Sequence, residues 1–142
     1  MGTTAGPGKK ESRGVSAMGF EPGQIVQEIG WDSDVDEDLR SALMDTLDAD
    51  FVEEALEAVD AVVLWWRDED GDVHDGLVDA LRDLSTGGCI WLMTPKVGRP
   101  GYVDPADIAE GTLSAGLALA NQATASADWQ AQKVVRPRAA RR

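Results

Sequence analysis

The sequence predicts an α/β protein, a mostly parallel sheet layered between helices and ending in a C-terminal antiparallel hairpin. Three observations carry this. Ala61–Trp66 (AVVLWW) and Cys89–Thr94 (CIWLMT) are apolar runs without polar alternation, as expected of strands covered on both faces. Between them, Val73–Leu84 sets Leu77, Val78, Leu81 and Leu84 on one helical side, and a strand–helix–strand order calls for parallel neighbours with a right-handed crossover. Finally, Leu117–Ala125 and Trp129–Val135 flank an Ala127-Asp128 turn, which places a hairpin at the sheet edge.

The remaining elements follow in order. Residues 1–17 are rich in Gly, Thr, Ser and Lys and are expected to be a disordered tail; residues 138–142 are expected to be a basic one. Residues 18–137 then form a single domain. Pro22-Gly23 marks a turn before a short strand, Gln24–Ile29, closed by Gly30. Asp36–Leu47 spaces Leu39, Leu43 and Leu47 four apart, giving a helix with an apolar stripe and an acidic face. Phe51, Val52, Ala55, Leu56 and Val59 continue that spacing into a second helical segment. Ser85-Thr86-Gly87-Gly88 is expected to close the helix before Cys89, because glycine tolerates a left-handed backbone. Asp104 caps a further helix with Pro105 at its first position, running to Ser114 and stopped by Gly116.

Composition narrows the function classes. Hydrophobic residues make up 43% of the 142 and charged ones 27%, and no apolar run approaches the ~18 residues of a membrane span. The N-terminus has basic residues without an apolar core behind them, so a secretory signal is not expected, and Gly6 spoils a myristoylation pattern. Cys89 is the only cysteine and reads as a buried thiol, which fits a reducing cytoplasm. The net charge of −13 is segregated. Trp31–Asp83 holds nineteen acids against Arg40, Arg67 and Arg82, while the rest of the chain has seven acids and ten bases. Such a surface repels phosphate backbones and anionic membranes, making direct nucleic-acid binding unlikely; a basic protein partner fits it better.

The stretch VVLWWRDEDGD, residues 62–72, admits three readings: a calcium loop, a catalytic strand end, or a buried strand opening onto a solvated acidic turn. Its acids lack a glutamate at the twelfth loop position. Asp32, Asp34 and Asp36 have the spacing of an EF-hand loop, but the sixth position is Glu37 and the twelfth Leu43. The Asp32–Asp36 cluster is better read as a solvated helix start, where carboxylates complement the positive end of the dipole, and Asp68–Asp72 as a polar turn capping the next helix. His74 is the only histidine, too little for a zinc site or a Ser/His/Asp triad, and no serine has a GxSxG setting. Neither a metal nor a catalytic residue is expected.

Two resemblances refine the fold. Asp60–Leu64 resembles the fourth-strand pattern of a class I methyltransferase-like Rossmann domain, and Leu84–Leu92 resembles its following loop and fifth strand. The terminal hairpin fits that fold's antiparallel edge. Through GFEPGQIVQEIGWD, VVLWWRDEDGD, GGCIWLMTPK and DWQAQKVV, the chain from about Gly19 to Pro137 also resembles the actinobacterial family called domain of unknown function 3052. The resemblance implies a three-layer Rossmann-like sheet, truncated relative to the methyltransferases, in a small cytoplasmic domain. Glu28-Ile29-Gly30 looks like the start of the cofactor motif, but Trp31-Asp32-Ser33-Asp34 replaces its remaining glycines, whose backbone admits the cofactor. About thirty residues from Gly30 to Asp60 are too few for the second and third strands with their helices. No cofactor is therefore expected.

In open α/β sheets, ligands bind outside the carboxyl ends of the strands. Those ends should present Trp31, Trp66, Arg67, Thr94 and Lys96, followed by Arg99 and Tyr102 in the next loop. Stacking aromatics and cations there could hold a flat anionic ligand or anchor a peptide. Alternatively, the tryptophans cover helices while Arg67 and Lys96 pair with the acidic loop. The sequence thus favours a non-enzymatic regulatory or adaptor domain with an acidic partner-binding face. A small-ligand sensor or residual enzyme is the rival, and a homodimer through the hairpin edge a third possibility.

Overall fold

The computed structural model describes residues 9–137, with side chains from residue 14 onward. A five-stranded sheet in the order β1-β2-β3-β5-β4 forms the middle layer. β1 (Val26–Ile29), β2 (Val59–Trp65) and β3 (Leu84–Pro95) are parallel, while β5 (Trp129–Val135) and β4 (Ala118–Thr124) complete the sheet antiparallel. The hairpin is therefore at the edge, as the sequence predicts, with its second strand on the inside.

Alternation along β2 decides the two cores. Ala61, Val63 and Trp65 point into a cluster with Met18, Leu39, Leu43 and Leu47, so α1 (Lys9–Met18) and α2 (Glu37–Leu47) cover that face. Val62 and Leu64 point the other way, to Leu77, Ala80 and Ile108 of α3 (Val73–Leu81) and α4 (Pro105–Ser114). Helix starts are fixed by carboxylates: Asp36, Asp72 and Asp104 each accept a hydrogen bond from a first-turn N–H.

Four expectations are corrected. The presumed tail through residue 17 includes a helix, α1, seated where Gly14 closely approaches the carbonyls of Thr124 and Ala125. Residues 1–8 and 138–142, the other presumed tail segments, lie outside the described residues. Phe51–Val59 is not helical. Residues 51–58 are a loop with bends, in which Val52 makes one parallel bridge with Gln27 on the side of β1 away from β2, and Val59 opens β2. Ser85–Gly88 does not close α3, which ends at Leu81, but belongs to β3. The register there slips, since the two steps from Val59 to Ala61 are matched by the five from Leu84 to Cys89. Lastly, Cys89 is only half-buried.

The Val52 bridge also explains the crossovers. Right-handed connections with α2 and α3 on opposite faces require the chain to move in opposite directions across the sheet. From β1 it passes through α2 to Val52 on the outer side, then returns to β2 on the inner side. The direction of winding therefore switches between β1 and β2, and the carboxyl ends of these strands flank the crevice where such sheets bind ligands.

Candidate functional site

The switch-point crevice is built from Gly30 at the end of β1 and Trp65-Trp66-Arg67 at the end of β2. Gly30 has φ of +85°, and a Cβ there would collide with the Trp65 carbonyl, so only glycine lets the two strand ends approach this closely. Arg67 turns back into the crevice and is 5% exposed. Its Nη1 donates to the Gly30 carbonyl at 2.7 Å, and its Nε donates to Asp34 at 3.0 Å while Nη2 pairs with the same carboxylate. Asp70 lies 3.4 Å from Nη1 and accepts from the Arg67 backbone N–H at 2.9 Å. The guanidinium also lies 5.4 Å from the centre of the Trp129 ring, which meets Trp65 edge-on at 4.8 Å. Burial alone would lower the Arg67 pKa, but Asp34 and Asp70 outweigh it and raise it. In turn, hydrogen bonding from Arg67 holds the Asp34 carboxyl below its ordinary range.

A second network lies beside the first. Glu28, buried at the end of β1, accepts from Arg40 through both carboxylate oxygens at 2.6 Å, and from the Trp65 indole N–H at 2.8 Å. Arg40 also pairs with Glu37, whose other oxygen accepts from the Trp31 indole N–H at 2.9 Å. These carboxylates raise the Arg40 pKa, and Arg40 followed by Trp31 lowers that of Glu37. The indole of Trp31 is 52% exposed beside a cleft of about 540 Å³ lined by Glu28, Gly30, Trp31, Arg40 and Glu53.

The seven rim residues are thus divided. Trp31 opens to solvent and Arg67 is spent internally. Trp66 turns to the opposite face from Trp65, lies against Gly76 of α3 and donates to the Gly71 carbonyl at 3.2 Å. Thr94 is buried, and Lys96 is half-buried with its backbone N–H bonded to Asp128. Arg99 pairs with the Asp128 carboxylate at 3.4 Å, and Tyr102 is half-buried, its backbone N–H donating to the Arg99 carbonyl at 3.2 Å. A single stacking platform with three free cations is not what these positions form. Sequence reasoning missed Arg40, Glu53 and the role of Asp34. Arg40 carried a signal, being one of three bases among the nineteen acids of Trp31–Asp83.

Among the described residues, no group of three or more His, Cys, Asp and Glu side chains is arranged to hold a metal ion, and no helix is long and apolar enough to cross a membrane.

Comparison with solved structures places the fold among methyltransferases. An S-adenosylmethionine-dependent methyltransferase from Thiobacillus denitrificans, solved with S-adenosyl-L-homocysteine, is similar with a TM-score of 0.59 at 10% identity, over 93% of this chain and 92% of that one. The O-methyltransferase NcsB1 of neocarzinostatin biosynthesis gives 0.60 at 15% identity, over 80% of this chain and 49% of its own, so this chain spans about half of that enzyme. Magnesium protoporphyrin IX methyltransferase from Synechocystis gives 0.54 at 15% identity, over 87% and 74%. Uncharacterised proteins of Mycobacterium tuberculosis and Mycobacterium bovis are each 42% identical over 122 residues, covering 85% of this chain and 77% of theirs. Residues 15–138 match the family described as "Protein of unknown function (DUF3052)", and it is to this family, on a methyltransferase-like Rossmann scaffold, that the chain belongs.

Proposed function

We propose that this protein is a non-enzymatic regulatory or adaptor domain of the cytoplasm that engages a basic protein partner through its acidic face. The observation that carries the reading is Arg67. In a Rossmann-like sheet the switch-point crevice must be open for a cofactor to reach the strand ends. Here a guanidinium bound to Gly30, Asp34 and Asp70 occupies the side of it next to β2, leaving open the cleft beside Trp31. Glu28, the acid preceding the glycine turn, is likewise consumed by Arg40 and Trp65. Polar groups so engaged are costly to pull apart, because each would lose a charge-assisted bond. The acids of Trp31–Asp83 supply the complementary field for a basic partner.

The test has two arms. Calorimetric titration with S-adenosylmethionine, S-adenosyl-L-homocysteine and common nucleotides should give no saturable heat, and none should raise the melting temperature. A ligand present at 100 times its Kd would stabilise the fold by about 2.7 kcal/mol, which is readily seen. Cross-linking in the native host, with mass spectrometry, should identify a basic protein whose purified form binds at low salt and dissociates as salt rises. Micromolar binding of an S-adenosyl compound at the Gly30 turn would overturn the reading in favour of a sensor or residual enzyme.

A further inference from the structure

We infer that the cleft beside Trp31 is the anchor point for the basic partner, taking an arginine or lysine side chain against the exposed indole face. The inference deepens the adaptor reading and rests on it. The cleft has the volume for such a side chain, at about 540 Å³. Its indole is held rather than merely exposed: the ring N–H donates to Glu37 at 2.9 Å, which restrains the ring in a residue that is 52% exposed. A cation over the face of a tryptophan is attracted by the ring quadrupole, and tryptophan is enriched among the residues that dominate interface energetics.

Charge points the same way. Glu28 and Glu53 line the cleft against the single guanidinium of Arg40, which Glu28 and the neighbouring Glu37 already neutralise. Glu53 is the acid left over. Its backbone carbonyl accepts from the Gln27 amide at 3.2 Å, which ties the segment after Val52 to β1, and no hydrogen bond or ion pair engages its carboxylate among the described residues. A second cleft, of about 460 Å³ between α3 and α4, has Asp68, Asp72, Asp107 and Glu110 but no aromatic residue. It serves as the control, having comparable charge without the indole.

The experiment titrates the full-length, isotope-labelled protein with a blocked hexapeptide of alternating glycine and arginine, and with its lysine and glutamate counterparts. The expected result is saturable movement of the Trp31 indole and Gly30 amide signals with the basic peptides only. Trp31→Ala and Glu53→Gln should each weaken binding about threefold to fivefold, while Asp107→Asn with Glu110→Gln leaves it unchanged. Glu53→Gln removes charge without altering the indole, so a folding defect in Trp31→Ala would not obscure the outcome. Equal weakening by substitutions in both clefts would overturn the inference, reducing the effect to diffuse attraction. So would a Trp31 signal that shifts on deletion of residues 138–142, which would make a second copy's basic tail the occupant. Either outcome leaves the adaptor reading intact; displacement of the peptide by S-adenosyl-L-homocysteine would instead strike at that reading.

Discussion

Arg67 joins the ends of β1 and β2 to the 30–36 loop, and its removal would orphan several groups at once. Arg67→Ala should therefore lower unfolding stability by about 2–3 kcal/mol in a urea titration, less than for a fully buried pair because Asp34 is half-exposed. Asp34 adds a pH signature. Its carboxyl is held below the ordinary value of about 3.9, so it contributes stability that is full above that value and is lost as pH falls through the depressed one. Asp34→Asn should therefore flatten the fall in stability below about pH 4, as followed by melting temperature against pH. A mutant curve parallel to the wild type would refute the coupling. The inward turn of Arg67 was not legible in the sequence. Pairing of Arg67 with the acidic loop is one of the two readings the sequence allows, and Asp70 of that loop lies 3.4 Å away, but the other acceptors, the Gly30 carbonyl and Asp34, lie more than thirty residues off.

Among the elements, those with their own start and stop chemistry were legible. α2 and α4 carry aspartate caps, and β2 is apolar from Ala61 to Trp65. Misread segments are those whose conformation depends on a distant neighbour. Phe51–Val59 has helical spacing, but Asp48 ends α2 in a left-handed conformation and Val52 is captured by β1 through bonds to Val26 and Glu28. Glycine plays an equally non-local part at the α3–α4 contact. A Cβ on Gly111 would come within 2.9 Å of the His74 backbone nitrogen and of Val73 Cβ. Although alanine is the better helix former by about 1 kcal/mol, Gly111→Ala should destabilise by about 1–3 kcal/mol, measured by the denaturation midpoint. A stabilised variant would mean that the helices slide apart at no cost.

For the whole molecule, the acids of Trp31–Asp83 spread over α2, the loop after it, β2 and α3, and repel one another. Raising salt from about 20 to 200 mM should increase the melting temperature by a few degrees, because screening shortens the range of that repulsion to within about 10 Å. An unchanged value would show the charges to be compensated locally. The same screening should weaken any basic partner, so stability and binding are expected to respond to salt with opposite sign. The missing outer strands of the methyltransferase-like fold have one further consequence, carried by Val52. Its bonds to Val26 and Glu28 satisfy the outer side of a strand only four residues long. At the far border, the slip between Leu119 and Gln122 breaks the regularity of β4. Both borders thus carry interruptions of the kind that discourage edge-to-edge pairing with a neighbouring molecule.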